Sequence, residues 1–268
     1  MKKITIKEIQ ELQEKILSRY GQEGRRFPRR ETQDPYAIHI CEVMSQQTQL
    51  SRVLPYREKW MQDIPNYEAL ASISKAKLLA HRSGLGFNSR ALRLQECAKV
   101  IVKDYQGNPP KDYKKLLALP GIGPYTAGAI CAFARNQEEV VVDTNIRRVL
   151  IFLLKLEENI SIKELENIAK KLIPQGKSRD RHNALMDYGA MHLTAKKTKI
   201  KSVSKQSKFE GSDRQVRGWL VKQLIKKGSI QISEAKEEFP KKEIEKIIEG
   251  MIKDKIVKKS GNAIMISK

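Results

Sequence analysis

Cysteine is nearly absent from this 268-residue sequence. The three that occur, Cys41, Cys97 and Cys131, lie far apart and form no Cys-x-x-Cys pair. Such usage excludes a disulfide-stapled scaffold and points to structural thiols in a reducing compartment. No apolar run is long enough to span a bilayer, and no signal-peptide pattern opens the chain, so the expectation is a soluble intracellular protein. Strand-like sequence is equally scarce. "EVVVD" at 139–143 is the one β-like stretch of the body, too short and solitary to make a sheet, and there is no internal repeat. Acidic residues are outnumbered, 31 against 52 Lys and Arg, for a formal net charge of +21. A field of that sign attracts polyanions, nucleic acid foremost, while a solvated lysine-rich surface is the plainer alternative. With 40% apolar residues the chain can still build a core.

What is present is helical periodicity. Residues 5–20 place Ile9, Leu12 and Ile16 on one face. A polar loop with four arginines follows, and 36–60 read as helix with a break near Pro55. Short helices are expected at 66–72, 74–82, 89–105, 111–118, 124–135, 144–156, 161–173 and 179–191, separated by Gly, Pro and Asn. The body, 1–194, is therefore all-α. Residues 195–208 carry six lysines and no acid, which makes 195–210 a basic linker or loop. From 211 to 268 the pattern changes. A helix capped by Ser212 and closed by Gly228, two more helices, and a hairpin turning at Gly261-Asn262 spell a small winged-helix (α+β) domain.

The stretch "KKLLALPGIGPYTAGAICAFA" joins two helices through Gly121 and Gly123. Both glycines can take positive φ and let another backbone approach; Ile122 can turn into the core. The N–H groups that open the second helix suit an anion such as a DNA phosphate. An ordinary helix connection is the alternative, but LPGIGPYTAGA is a longer pattern than a lone Gly-x-Gly. Asp143 follows an apolar stretch and precedes a helix, where N–H groups keep a carboxylate ionised; a plain N-cap would look the same. Glu42 sits mid-helix among Ile40, Val43 and Met44, where a raised pKa would let it hold a proton, unless it merely faces solvent. One acidic and one anionic carboxyl form the pair that cleaves a glycosidic bond, which in DNA joins base to deoxyribose.

The segments "EVMSQQTQL", "SGLGFNSRALRL", "LPGIGPYTAGAI" and "VVDTNIRRVL" together resemble the MutY-type adenine DNA glycosylases of the endonuclease III-like helix-hairpin-helix superfamily. The resemblance runs from about residue 5 to residue 192. It implies a helix-hairpin-helix glycosylase fold in which Glu42 protonates adenine, Asp143 stabilises the sugar cation and Asn145 orients the network. Tyr125 stands where bifunctional relatives carry a Schiff-base lysine, so base removal without amine-driven strand cleavage is implied. Gln46, Gln47 and Thr48 match the adenine branch, the second Gln wedging into the duplex. Leu85, Gly86, Phe87 and Arg90 fall in the loop that helps open the stack, and Gly121, Ile122, Gly123 and Thr126 in the DNA-binding hairpin. Arg30 and Ser45 border the base pocket, and Asp187 stands where an acidic residue reads the base edge.

Three departures stand out. Phe27-Pro28-Arg29-Arg30 and Ser45 replace the usual Leu-Pro-Trp-Arg and Leu, which makes the pocket more polar. The pattern C-x6-C-x2-C-x5-C of a 4Fe–4S cluster falls on Leu193, Ile200, Val203 and Phe209, none an iron ligand. The expectation is no metal and a small apolar plug in its place. Finally, about 60 residues stand where long relatives carry a Nudix-like domain. The implied function is a monomeric, cofactor-free adenine glycosylase acting on double-stranded DNA with a mismatched or oxidised base pair (adenine opposite guanine or 8-oxoguanine). No membrane partner is implied, and a monovalent cation is accommodated at the hairpin. It would work in the cytoplasm at the nucleoid. Removal of thymine from T:G mismatches, a catalytically silent damaged-DNA-binding protein and a transcription regulator are the alternatives.

Overall fold

The computed structural model describes residues 5–82, 88–202 and 207–267. In chain order the helices are α1 (Ile6–Glu23), α2 (Pro28–Glu31), α3 (Pro35–Ser45), α4 (Leu50–Asp63), α5 (Tyr67–Ser72), α6 (Lys75–Arg82), α7 (Asn88–Tyr105), α8 (Tyr113–Leu117) and α9 (Pro124–Ala129). A π-helical turn, Ile130–Ala134, extends α9. Then come α10 (Thr144–Leu154), α11 (Ile162–Lys171), α12 (Ser178–Met191), α13 (Ala195–Thr198), α14 (Asp213–Lys227), β1 (Ser229–Gln231), α15 (Ile232–Glu238), α16 (Ile244–Lys253), β2 (Val257–Ser260) and β3 (Ala263–Ile266). No helix among the described residues is long and apolar enough to cross a membrane.

These elements gather into two compact units that cut across chain order. One holds residues 1–42, 110–118 and 122–205; the other holds 43–109, 119–121 and 206–268. This differs from the linear division into 1–194, 195–210 and 211–268. The reason is packing: α14 lies against α6, so the C-terminal elements share a unit with residues 43–109.

In the first unit α12 is the central helix, with α1 and α10 both against it. Ile16, Phe133, Val149, Leu150, Leu165 and Leu185 are among the side chains of its core. Local sequence starts each helix where it does. Thr5 and Glu8 form a capping box on α1, Ser161 and Glu164 another on α11. The 136–143 return joins no strand, as the shortness of its β-like part implies. It runs tight against α9, because a Cβ at Gly128 would lie 2.5 Å from the Val140 carbonyl oxygen. The Val141 N–H donates to Nε2 of buried His182 at 3.1 Å, so Nδ1 carries the ring proton and donates to the Ser178 carbonyl at 2.7 Å. Burial pushes the His182 pKa down to about 3, which keeps the ring neutral.

In the second unit α5 and α6 pack on α7 around Tyr67, Leu70, Leu78, Leu79 and Ile101. The C-terminal part is a winged helix with a three-stranded antiparallel sheet, order β1-β3-β2. Ser260 pairs with Ala263 across the Gly261-Asn262 turn, and Gly261 is left-handed. Strand β1 was not foreseen; three residues carry too little alternation to be seen without their partner strand. Two further expectations are corrected. Pro55 lies inside α4, and the chain instead breaks at 46–49, where Gln47 is left-handed at φ 59°. Ser212 precedes α14 without capping it, because its hydroxyl donates back to the Phe209 carbonyl.

Gly128→Ala is expected to cost about 1–3 kcal/mol by overpacking against backbone. It should also displace the 140–143 segment. Chemical denaturation together with an excision assay checks this; an unchanged midpoint and rate would contradict the close approach.

Candidate active site

Glu42 lies in α3 and is 3% exposed. Its Oε2 accepts a hydrogen bond from the Tyr125 hydroxyl at 3.0 Å. Tyr125, in the first turn of α9, is half-buried. Asp143 is the N-cap of α10: Oδ1 accepts from the Ile146 N–H at 2.6 Å and Oδ2 from Asn145 Nδ2 at 2.9 Å. These bonds favour the carboxylate, but burial outweighs them and Glu42 adds repulsion, so the Asp143 pKa stands above the ordinary range. The expected helix N–H bond is therefore present, but its effect on the pKa is smaller than that of desolvation.

Asn145 is itself held. Its Oδ1 accepts from Arg148 Nη2 at 2.7 Å, which fixes the amide so that Nδ2 faces Asp143. Arg148 also donates to the Leu193 and Gly189 carbonyls. Gly189 has no room for a side chain, since a Cβ would meet the Asn145 Cβ at 2.8 Å. Sequence reasoning missed Arg148 and Gly189; "NIRRV" and "DYGAM" adjoin the foreseen residues but carry no signal that they meet.

Asp187 and Arg30 are brought together, though not as base readers. Arg30 makes a bidentate pair with Asp187 at 2.6 and 2.7 Å, while Arg25 donates its Nε at 2.6 Å and its N–H at 2.9 Å. With four donors on two oxygens the carboxylate is saturated, and it is not free to read a base edge. Burial would raise its pKa, but the hydrogen bonds from Arg30 and Arg25 prevail and lower it. Phe27 contributes its ring face at 5.1 Å from Arg25 and 5.2 Å from Arg30. Phe27 and Arg30 thus belong to an arginine–aspartate knot, while the Arg29 side chain lies outside what the structure describes.

Ser45 closes α3 and is half-buried. Gln46 and Thr48 are half-buried, and Gln47 is exposed on its left-handed backbone. Arg90 Nη1 donates to the Gln46 carbonyl at 2.8 Å and ties this turn to α7. Leu85, Gly86 and Phe87 lie outside the described residues. In the hairpin Gly121 is left-handed at φ 76°, and a Cβ there would meet Arg93 Cβ at 2.9 Å. Gly123, by contrast, is extended at φ −93°, and no side chain caps α9. Ile122 and Thr126 are buried, so their side chains support the hairpin from within and present nothing to a phosphate.

The residues at the cluster spacing do not fit an iron–sulfur group, and they do not form a plug. Leu193 is in the core of the first unit, Ile200 is half-buried, Phe209 is 58% exposed, and Val203 lies outside the described residues. An aromatic that open cannot close a buried cluster. Hydrogen bonds fasten the segment instead. Arg147 donates to the Lys201 and Glu158 carbonyls, and the Lys201 N–H donates to Glu158 Oε1 at 2.7 Å. Cys41, Cys97 and Cys131 are each buried, and no three potential metal ligands group together among the described residues.

The family described as HhH-GPD superfamily base excision DNA repair protein matches residues 40–175. The chain belongs to this superfamily. Among its relatives, an adenine DNA glycosylase of Mycolicibacterium smegmatis is 35% identical over 227 residues, covering 77% of this chain and 78% of the relative. A thymine/uracil-DNA glycosylase of Methanothermobacter thermautotrophicus is 34% identical over 188 residues, covering 69% and 85%. The chain spans less than half of the longer adenine DNA glycosylases of mouse (42%) and human (37%). A solved thermostable thymine-DNA glycosylase superposes with a TM-score of 0.66 at 31% identity, over 71% of this chain and 90% of that one.

Asp143→Asn should keep the Ile146 bond of the N-cap, lose the bond from Asn145 Nδ2, and remove a half-buried charge whose desolvation outweighs that bond. A carboxyl whose folded pKa is raised loses stability as pH rises from its unfolded value through the folded one. The variant should therefore melt at an equal or higher temperature than the parent at pH 7, with the difference shrinking as pH falls. Base excision should drop by about 100-fold or more. A lower melting point at neutral pH would contradict the raised pKa.

Proposed function

We propose that this chain is a monofunctional DNA glycosylase of base-excision repair that removes adenine mispaired with guanine or 8-oxoguanine. The observation that carries the reading is the hydrogen bond between half-buried Tyr125 and buried Glu42, on the same body as Asp143. Adenine is flipped out of the duplex to reach these groups. The phenol donates to Glu42 Oε2 and orients the carboxyl, which delivers the proton to the base. The electron pair of the N-glycosidic bond leaves with the protonated adenine. Asp143, held by Ile146 and Asn145, faces the oxocarbenium-like sugar as its counter-charge. Water then adds hydroxide to the anomeric carbon and leaves its proton on a carboxylate. A phenol at position 125 cannot form a Schiff base, so the abasic strand is released intact. No step needs a redox cofactor; a monovalent cation at the hairpin would only bridge backbone and phosphate.

Adenine relatives support this choice of base, and so does the turn that exposes Gln47. The thymine/uracil relative of similar identity is the reason to test thymine too. A silent binding protein has no need of both carboxylates. The winged helix adds phosphate contacts through its wing, where Lys258 and Lys259 are exposed. The exposed side of α16 carries Glu245 and Glu249, which the phosphates would repel.

Single-turnover assays on duplexes with A:G, A:8-oxoguanine and T:G pairs should give base release on the first two only. Glu42→Gln should abolish release with duplex binding retained. Excision at the parental rate would remove Glu42 from the acid role, and borohydride trapping of the unmodified chain would contradict a monofunctional enzyme. DNA affinity should fall steeply with salt. Lys258→Ala with Lys259→Ala should weaken it uniformly across sequences and flatten the slope; an unchanged slope would take the wing off the DNA. Truncation at 211 is the poorer test, because it uncovers α6.

A further inference from the structure

Ser45 ends α3, and Gln49 is the N-cap residue of α4. The chain turns between them. The Thr48 N–H donates to the Ser45 carbonyl at 3.2 Å, which closes a β-turn with Gln46 and Gln47 at its centre. Gln47 has φ 59°, and Gln46 is not among the residues with positive φ. That combination is a type II turn, whose third residue is ordinarily Gly or Asn. Gln47 is exposed there, while Gln46 and Arg90 are half-buried. All of these residues belong to the second unit.

A glutamine carries a Cβ that crowds the backbone in the left-handed region. Local sequence therefore favours a type I turn, in which both central residues have negative φ. The two turn types differ chiefly by reversal of the central peptide group. The carbonyl that changes direction in that reversal is the carbonyl of Gln46. It is the one that Arg90 holds, through Nη1 at 2.8 Å, from the first turn of α7. A charged donor makes a stronger hydrogen bond than a neutral one, and this bond exists in only one of the two forms.

We infer that Arg90 is a positioning residue for the mispaired duplex: its bond to the Gln46 carbonyl holds the turn in the type II form and so presents the Gln47 side chain ready to enter the base stack. The inference rests on the reading above, in which Gln47 is the wedge. What Arg90 contributes is preorganisation. Without its bond most molecules would adopt the type I turn, and binding at a mispair would first have to restore the rarer form, which lowers affinity. A guanidinium that merely touched phosphate would act on every duplex alike.

The test compares Arg90→Met with the parent on an A:8-oxoguanine duplex and on its fully paired counterpart, both proteins carrying Glu42→Gln so that no base is released. R90M should lose about tenfold in affinity for the mispaired duplex and much less for the paired one. In a Gln47→Asn background, whose residue itself accepts the left-handed region, R90M should cost less than about threefold. A crystal structure of unbound R90M reads the turn without any substrate: Gln47 should have negative φ, with the Gln46 carbonyl reversed. Equal losses on the two duplexes, an undiminished loss in Q47N, or Gln47 still left-handed in unbound R90M would each overturn the proposal. Should the parent bind both duplexes alike, the adenine reading has failed, and the unbound structure decides the role of Arg90 by itself. Should R90M fail to fold, Arg90→Lys, whose ammonium lacks the reach and the planar fork, takes its place in both measurements.

Discussion

Seating a half-buried carboxylate at the start of a core helix is the constraint on which the rest of the first unit depends. Desolvation raises the Asp143 pKa, so the polar contacts that the fold supplies decide how the carboxyl is held. The segment that delivers it has no sheet to join. It is steered by a glycine that lets Val140 touch α9 and by a neutral histidine that takes the Val141 N–H. At its far end α10 begins, and the first turn provides the Ile146 N–H. Behind Asn145 stands Arg148, aimed by the carbonyls of Gly189 and Leu193. Each contact is ordinary; together they leave the carboxyl one position.

The basic excess of this chain is only in part a surface property. Arg148, Arg179 and Arg147 spend their guanidinium groups on backbone carbonyls at the ends of helices and loops. Arg25 and Arg30 close on Asp187. Guanidinium suits this work because its planar fork satisfies several acceptors at once and stays charged when buried. Lysine takes the solvent-facing positions, as in the wing and in the segment after Leu193. That segment is held by Arg147 and Glu158, without thiols and without an apolar plug.

Helix positions, the hairpin and the winged helix were legible because each leaves a local mark. A 3.6-residue period, a capping residue, a Gly-x-Gly between helices and a two-residue strand turn are short-range features, and short-range energetics decides them. The same reading erred where long-range contact rules. Asp187 looked like a base reader until Arg30 and Arg25 occupied it. Thr126 looked like a DNA contact and is buried. Phe209 looked like core and is open to solvent.

By itself, then, the sequence determined that this is a helical, strongly basic chain that carries carboxyls at 42 and 143 and a glycine hairpin between helices. It also determined that residue 125 offers a phenol and no amine. Only the tertiary structure decided that the phenol meets Glu42, that desolvation outweighs the helix N–H groups in the Asp143 pKa, and that Arg30 and Arg25 close on Asp187. The physical reason is the same in all three cases: desolvation and hydrogen-bond pairing depend on which distant segments arrive at a side chain, and no local pattern encodes that.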